Sequence, residues 1–225
     1  MKILLSWSSG KDSAWALHVL NQNSPGSVAA LLTTINESVD RVAMHGVRGE
    51  LVEAQAAAAG LPLWRVPLPD PCTNEEYESR MHDTCARAVA DQFTHVAFGD
   101  LFLEDVRRYR EERLVGTGLA PLFPLWGTPT RELAQAMIAV GLRARLSVVD
   151  TRAIDASFAG RAFDTTLLRD LPETVDPCGE KGEFHTFAHA GPMFRHGIPV
   201  AAGGIVTRAP FVFRDLCPIR IESSV

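Results

Sequence analysis

A chain of 225 residues makes one large or two small domains, with length enough for a sizeable buried core. Its formal charge of −5 argues against a dedicated nucleic-acid surface, and no apolar run approaches the roughly 20 residues that span a membrane. Cys72, Cys85, Cys178 and Cys217 form neither a Cys-x-x-Cys pair nor a zinc spacing, which suits reduced thiols in a cytoplasm.

Met1-Lys2 leads straight into Ile3-Leu4-Leu5, which reads as a buried strand and leaves no room for a cleaved leader. Ala14 to Leu20 reads as the helix that follows. Between them lies the small-residue turn Ser8-Ser9-Gly10-Lys11-Asp12-Ser13. Such a turn aims unpaired N–H groups at an anion, and the helix dipole favours the same charge. Lys11 adds a point charge and the serines add hydroxyl donors, so the turn predicts a phosphate site. A Walker A loop is disfavoured, because Asp12 follows Lys11 and Leu5 stands where the first glycine belongs. Gly116-Thr117-Gly118 follows a charged helix and has Pro121 in place of a third glycine, so it reads as a helix stop. A plain helix cap by Asp12 or Ser13 is the bland alternative, but a cap has no need of Lys11.

Val28 to Thr34 is a second strand. Glu50 to Ala59 is a helix stopped by Gly60 and Pro62, and Leu63 to Val66 a short third strand. Asn74 is expected to cap a long helix reaching about Asp91, with Tyr77, Met81, Cys85 and Ala88 or Val89 on one face. His95 to Phe98 is a fourth strand, ended by Gly99-Asp100. A helix over Asp105 to Leu114 and a proline-broken edge strand within Leu119 to Leu125 follow. This alternation makes a parallel sheet with helices on both faces, whose ligands bind beyond the carboxyl ends of the strands. Thr33, Gly99 and Asp100 fall at such ends and are candidate nucleotide contacts, although caps and turns use the same residue types.

The character changes near Gly127, which divides the chain into 1–126 and 127–225. A helix from Thr130 to Val140 leads into the strand Arg143 to Val149. Glu183 to His189 and Val200 to Val206 then read as short antiparallel strands. In this half Cys178, Glu180, Glu183 and His185 gather around Gly179 and Gly182. The glycines allow close approach to a ligand, and the acids could hold a cation or orient ammonia. Glu183 and His185, two apart, would share one face of a strand. A zinc reading through His185 and His189 lacks the helical His-Glu-x-x-His context, and nothing marks Cys178 as an activated nucleophile. A glycine turn with solvated acids is the alternative.

Four segments occur in order: Ser8 to Ser13, Gly99 to Asp105, Phe123 to Trp126, and Cys178 to Thr186. With them nearly the whole chain resembles the diphthine–ammonia ligase family of N-type ATP pyrophosphatases, whose first loop is the PP-loop. The resemblance implies a Rossmann-like, adenine nucleotide α-hydrolase (HUP-type) domain followed by a smaller α+β domain. It also implies a reaction in which a carboxylate attacks the α-phosphate of ATP, giving an acyl-adenylate and pyrophosphate. Ammonia then forms the amide and AMP leaves. The implied roles follow. N–H groups of Ser9, Gly10 and Lys11 cradle the phosphates, Ser8 and Ser13 bond their oxygens, Lys11 offsets charge and Asp12 holds Mg²⁺. Glu104, Asp105, Cys178, Gly179, Glu180, Gly182, Glu183 and His185 face the acceptor and ammonia, with Lys11, Asp12, Glu183 and His185 as the catalytic set. Neither Lys11 nor Asp12 is expected in the core.

Two departures stand out. Ser9 replaces the family's usual Gly, a mild change if its φ is negative. His185 replaces the second Glu of ligases that amidate diphthine on an elongation factor, and bacterial-type members share this His although bacteria lack diphthamide. An imidazole changes which cationic group the pocket accepts, so the acceptor carboxylate is left open between an elongation-factor side chain, a small metabolite and tRNA. With no glutaminase module, and Lys2 rather than a nucleophilic Cys, free ammonium is the expected nitrogen source. Homo-oligomerisation is left open. A basic appended domain or a Cys-x-x-Cys pair would favour a tRNA-modifying enzyme, and neither is present. A non-catalytic nucleotide binder has no use for Lys11-Asp12.

Overall fold

The computed structural model describes residues 1–219. Its first half contains β1 (Ile3–Ser6), α1 (Lys11–Asn23), β2 (Val28–Asn36), β3 (Arg41–Val42), α2 (Gly49–Ala59) and β4 (Leu63–Leu68). It continues through α3 (Asn74–Ala90), β5 (His95–Ala97), α4 (Glu104–Leu114) and β6 (Ala120–Leu122). The second half contains α5 (Thr130–Ala139), β7 (Arg143–Asp150), α6 (Thr165–Asp170), β8 (Phe184–Ala190), β9 (Val200–Arg208) and β10 (Phe211–Pro218).

The parallel pairings give the order β4-β2-β1-β5-β6, the expected Rossmann-like sheet. Two-residue β3 pairs antiparallel with the far end of β2. Chain order reverses between β1 and β5, and in such sheets the crevice beyond that reversal is the ligand site. Proline-containing β6 is the edge strand, as expected of a residue that cannot donate to a ladder.

Alternation along the strands sends Ile3, Leu5, Leu31 and Ile35 to one face, under α1 and α2. Leu4, Ala30, Leu32 and Val96 go to the other, under α3 and α4. The first face is packed shut and its core runs on into the second sheet through Leu146, Val149, Phe187 and Val212. On the second face only Ala88 of α3 is fully buried, while Tyr77, Met81 and Cys85 are half-covered. The cap of α3 is Thr73 rather than Asn74. The Thr73 hydroxyl accepts from Glu76 N–H at 3.2 Å, and the Glu76 carboxylate accepts from Thr73 N–H at 2.9 Å, so a capping box outcompetes the lone Asn. No helix of the described residues is long and apolar enough to cross a membrane.

The smaller sheet is antiparallel, in the order β8-β7-β10-β9. The strand expected from Glu183 starts at Phe184, because Glu183 is used to close the preceding loop. Strand β10 was not read from the sequence, since Arg214 and Asp215 interrupt its apolar pattern.

Asp215 ties this sheet to the first half. Its carboxylate accepts from Arg41 Nη1 at 2.9 Å and from Arg48 Nη2 and Nε at 2.6 and 3.1 Å. Burial pushes the Asp215 carboxyl up, but Arg48 and Arg41 outweigh it and hold it at about 2, below its ordinary 3.8. A depressed carboxyl stabilises the fold above its unfolded pKa, and the contribution is lost as pH falls through the folded value. Asp215→Asn should therefore cost about 1–2 kcal/mol at pH 7, discounted for the partly exposed arginines. In urea melts the deficit should close between about pH 4 and pH 2. A deficit unchanged down to pH 2 would assign the effect to shape instead of charge.

Candidate active site

The loop between β1 and α1 is gripped by the second sheet. Ser9 carbonyl accepts from Ala188 N–H at 3.0 Å and from Gln55 Nε2 at 3.0 Å. Gln55, fully buried on α2, also donates to Ala188 carbonyl at 2.6 Å and accepts from Trp7 Nε1 at 2.8 Å. Thr186 Oγ1 accepts from Lys11 N–H at 3.0 Å. Held from three sides, Ser9 adopts φ +70°, so its departure from Gly is not the mild, negative-φ case; a left-handed serine costs about 1–2 kcal/mol. Its hydroxyl is buried without a partner. Gly10 sits tightly: a Cβ there would lie 3.2–3.4 Å from His45, Ser8 and Thr186, so these neighbours would have to give way by a few tenths of an ångström.

Two of the three N–H groups expected to cradle phosphate already have protein partners. Lys11 N–H donates to Thr186, and Gly10 N–H donates to Ser8 Oγ at 3.3 Å. What the loop presents instead is the Lys11 side chain. Lys11 is 1% exposed, which overturns the expectation that it lies outside the core. Its Nζ donates to Asp12 Oδ1 and Oδ2 at 3.0 and 2.8 Å and to Cys178 carbonyl, with the Phe163 and Phe184 rings 5.4 and 5.5 Å away. Burial works against the ammonium, but the Asp12 carboxylate outweighs it and holds Lys11 above its ordinary range. Asp12 is thus engaged on both oxygens. Among the described residues no group of three His, Cys, Asp or Glu side chains is arranged to hold a metal ion.

Ser8, Lys11, Asp12, Ser13, Gly99, Asp100, Cys178, Gly179, Glu180 and His185 line one polar cavity of about 220 Å³. The two distant motifs therefore form one site. Glu180 accepts from Leu101 N–H at 2.8 Å. Burial, then the charges of Asp12 and Asp100, push it to about 7 against the opposing Leu101 bond and Lys11. Burial likewise raises Asp100, opposed by Arg110. His185 is lowered to about 4 by burial and by Lys11, so its ring is neutral at pH 7. Burial pushes the Cys178 thiol up and its Sγ donates to Thr130 carbonyl at 3.4 Å, which leaves it inert as a nucleophile.

Other predicted residues fall outside this wall. Glu183 spends both oxygens on the loop itself, accepting from Asp176 N–H and Lys181 N–H at 3.0 Å each; it precedes β8 and does not line the cavity with His185. Gly179 allows the same turn: its φ is +69° and a Cβ would meet Phe184 carbonyl at 2.8 Å. Gly182 belongs to that turn and not to the cavity wall. Glu104 and Asp105 are exposed in the first turn of α4. Thr33 is buried on the α1–α2 face with its hydroxyl unpartnered, and Thr34, on the opposite face, lines the open space under α3.

The polar cavity opens into a chamber of about 920 Å³ floored by Leu4, Leu32 and Val96. Ser6, Ser8, His45, Phe98, Arg110 and His185 line both. Sequence reasoning missed four of these, Ser6, His45, Phe98 and Arg110. His45 stacks on His185 with centroids 4.4 Å apart, and burial, then His185, lowers it well below its ordinary range. Arg110 lies over the Phe98 ring at 4.9 Å and meets Asp100 at 3.5 Å. Only the cluster of charge along α4 marked Arg110 beforehand, and it does not single that residue out.

The family model of the diphthamide synthase N-terminal domain matches residues 1–118, and that of the C-terminal domain matches residues 129–220. The chain is 24% identical to the diphthine–ammonia ligase of Bos taurus and 22% identical to that of Homo sapiens. Each alignment spans 244 residues, covering 98% of this chain and 90% of the relative.

Proposed function

This chain belongs to the diphthamide synthase family, and from that premise we propose that it is an ATP-dependent, AMP-forming amide ligase using ammonia. The observation that carries the reading is Lys11: a buried, protonated lysine at the sheet's reversal point, lining a polar cavity that opens into a larger chamber. The β- and γ-phosphates enter the polar cavity beside Lys11, with Ser8 and Ser13 as hydroxyl donors. An acceptor carboxylate oxygen attacks the α-phosphorus and the bond to the β-phosphate oxygen breaks. Lys11 stabilises the pyrophosphate charge that develops there. Ammonia then attacks the acyl carbon, AMP departs with the bridging oxygen, and the nitrogen sheds a proton. Glu180, fixed by Leu101 and titrating at about 7, is matched to accept that proton.

Mg²⁺ would neutralise phosphate charge. Asp12, whose oxygens now accept from Lys11, would turn one of them to the ion, Asp100 would stand in the same cavity, and with no three-ligand cluster among the described residues the phosphate oxygens would supply the rest. Glu183 serves by holding the Asp176–Glu183 turn in shape, which places Glu180.

Incubation of the purified protein with ATP, Mg²⁺, ammonium and a lysate as acceptor source should release AMP and pyrophosphate together with an ammonium-derived amide. ADP and phosphate as products would overturn the reading, and nucleotide binding without AMP would make the chain a binder.

A further inference from the structure

We propose that the large chamber is the acceptor pocket and that Arg110 grips the acceptor carboxylate, so the acceptor is a carboxylate carried on an apolar body. This rests on the ligase reading above. The chamber is not a by-product of folding: the opposite face of the same sheet is packed shut, whereas α3 stands off and leaves Tyr77, Met81 and Cys85 facing an apolar floor. At about 920 Å³ it lies near the upper end of small-molecule sites, roughly 300–1,000 Å³, with room for a nucleoside and an acceptor body side by side.

The head group of a ligand in the chamber must face the junction with the polar cavity. Arg110 and Lys11 meet Asp12, Asp100 and Glu180 there, and of these cations Lys11 is already spent on Asp12. His45 and His185 are stacked and neutral. Glu78 is paired with Arg113 at 2.8 Å, and Glu75 is exposed in the first turn of α3. Asp100 meets Arg110 only through Nε, at 3.5 Å. Among the described residues no hydrogen bond engages the two terminal nitrogens of Arg110. Its guanidinium rests on Phe98, which is itself stacked on Phe123 at 5.6 Å, so the fork is held in place before any ligand arrives. A planar fork of free N–H donors matches a carboxylate through two parallel hydrogen bonds. A trimethylammonium group has no acceptor to offer that fork.

Calorimetric titration of 6-phenylhexanoate, its amide and its trimethylammonium counterpart tests this without turnover, so it can fail while AMP formation succeeds, or the reverse. The wild type should bind the carboxylate at least tenfold more tightly than the ammonium probe. Arg110→Gln should erase that preference and leave amide binding unchanged, and Cys85→Trp in the chamber wall should weaken all three probes. Equal or tighter binding of the ammonium probe, no binding of any probe, or a preference that survives Arg110→Gln would each overturn the proposal. If Cys85→Trp does not fold, Arg110→Gln still decides it.

Discussion

Replacing Lys11 with methionine should lower AMP-forming turnover by about 10²–10³, the usual loss when one preorganised charge-stabilising donor is removed. Methionine keeps most of the apolar stem, so the change isolates the ammonium. The same substitution strands two partners, since the Asp12 carboxylate and the Cys178 carbonyl both receive Lys11 Nζ. Breaking a buried pair from one side costs about 3–5 kcal/mol, and the low end applies because the Asp12 side chain is 26% exposed and can reach water. The nucleotide-free variant should therefore melt earlier. Because Lys11 titrates above its ordinary 10.5, this stabilisation is fully present below that value and disappears as pH rises through the folded one. Wild type and variant should accordingly converge in strong alkali, and the gap should also narrow in acid, where burial favours the protonated Asp12 carboxyl and no charge is left stranded. Turnover must be measured per folded molecule, well below the melting transition. Retention of more than roughly a third of wild-type rate would place the phosphate site elsewhere.

How far the site was legible depended on how local its chemistry is. The strand, the small-residue turn and the helix lie within the first two dozen residues, and their order alone predicts an anion site. The 178–186 segment was legible as polar residues around glycines, but the division of labour between its two glutamates was not. Glu183 is spent on loop N–H groups and Glu180 keeps an oxygen toward the cavity, a distinction set by the turn's three-dimensional path. Thr33 and Thr34 illustrate a subtler limit. Period two separates their faces, yet nothing local says which face will be packed shut and which will be left open. Arg110 and His45 became site residues only through the packing of α4 and of the loop after β3. The burial of Lys11 was unreadable because its cover comes from a segment 167 residues away.

Gln55→Leu should be the most damaging single change that touches no ligand-facing group. Leucine fits the volume but leaves Trp7 N–H and Ala188 carbonyl without their partner. Ser9 carbonyl keeps only the Ala188 N–H. Two orphaned buried groups at about 1–3 kcal/mol each give a loss of about 2–6 kcal/mol. At about 2–4 °C per kcal/mol for a chain of this size, the melting temperature should fall by roughly 4–24 °C. The consequence for function follows from what Gln55 restrains. It bridges β8 to the loop, and with that bridge gone the left-handed Ser9 loses one of the constraints that keep it strained. Lys11 N–H and Thr186 then separate more often, and hydrogen exchange at Lys11 and Ala188 should quicken before the rest of the first sheet opens. Turnover should drop even where the protein is fully folded, because Lys11 and Glu180 approach one cavity from two halves that Gln55 holds in register. Exchange that quickens uniformly across both sheets would reduce Gln55 to a core polar residue whose loss lowers global stability alone.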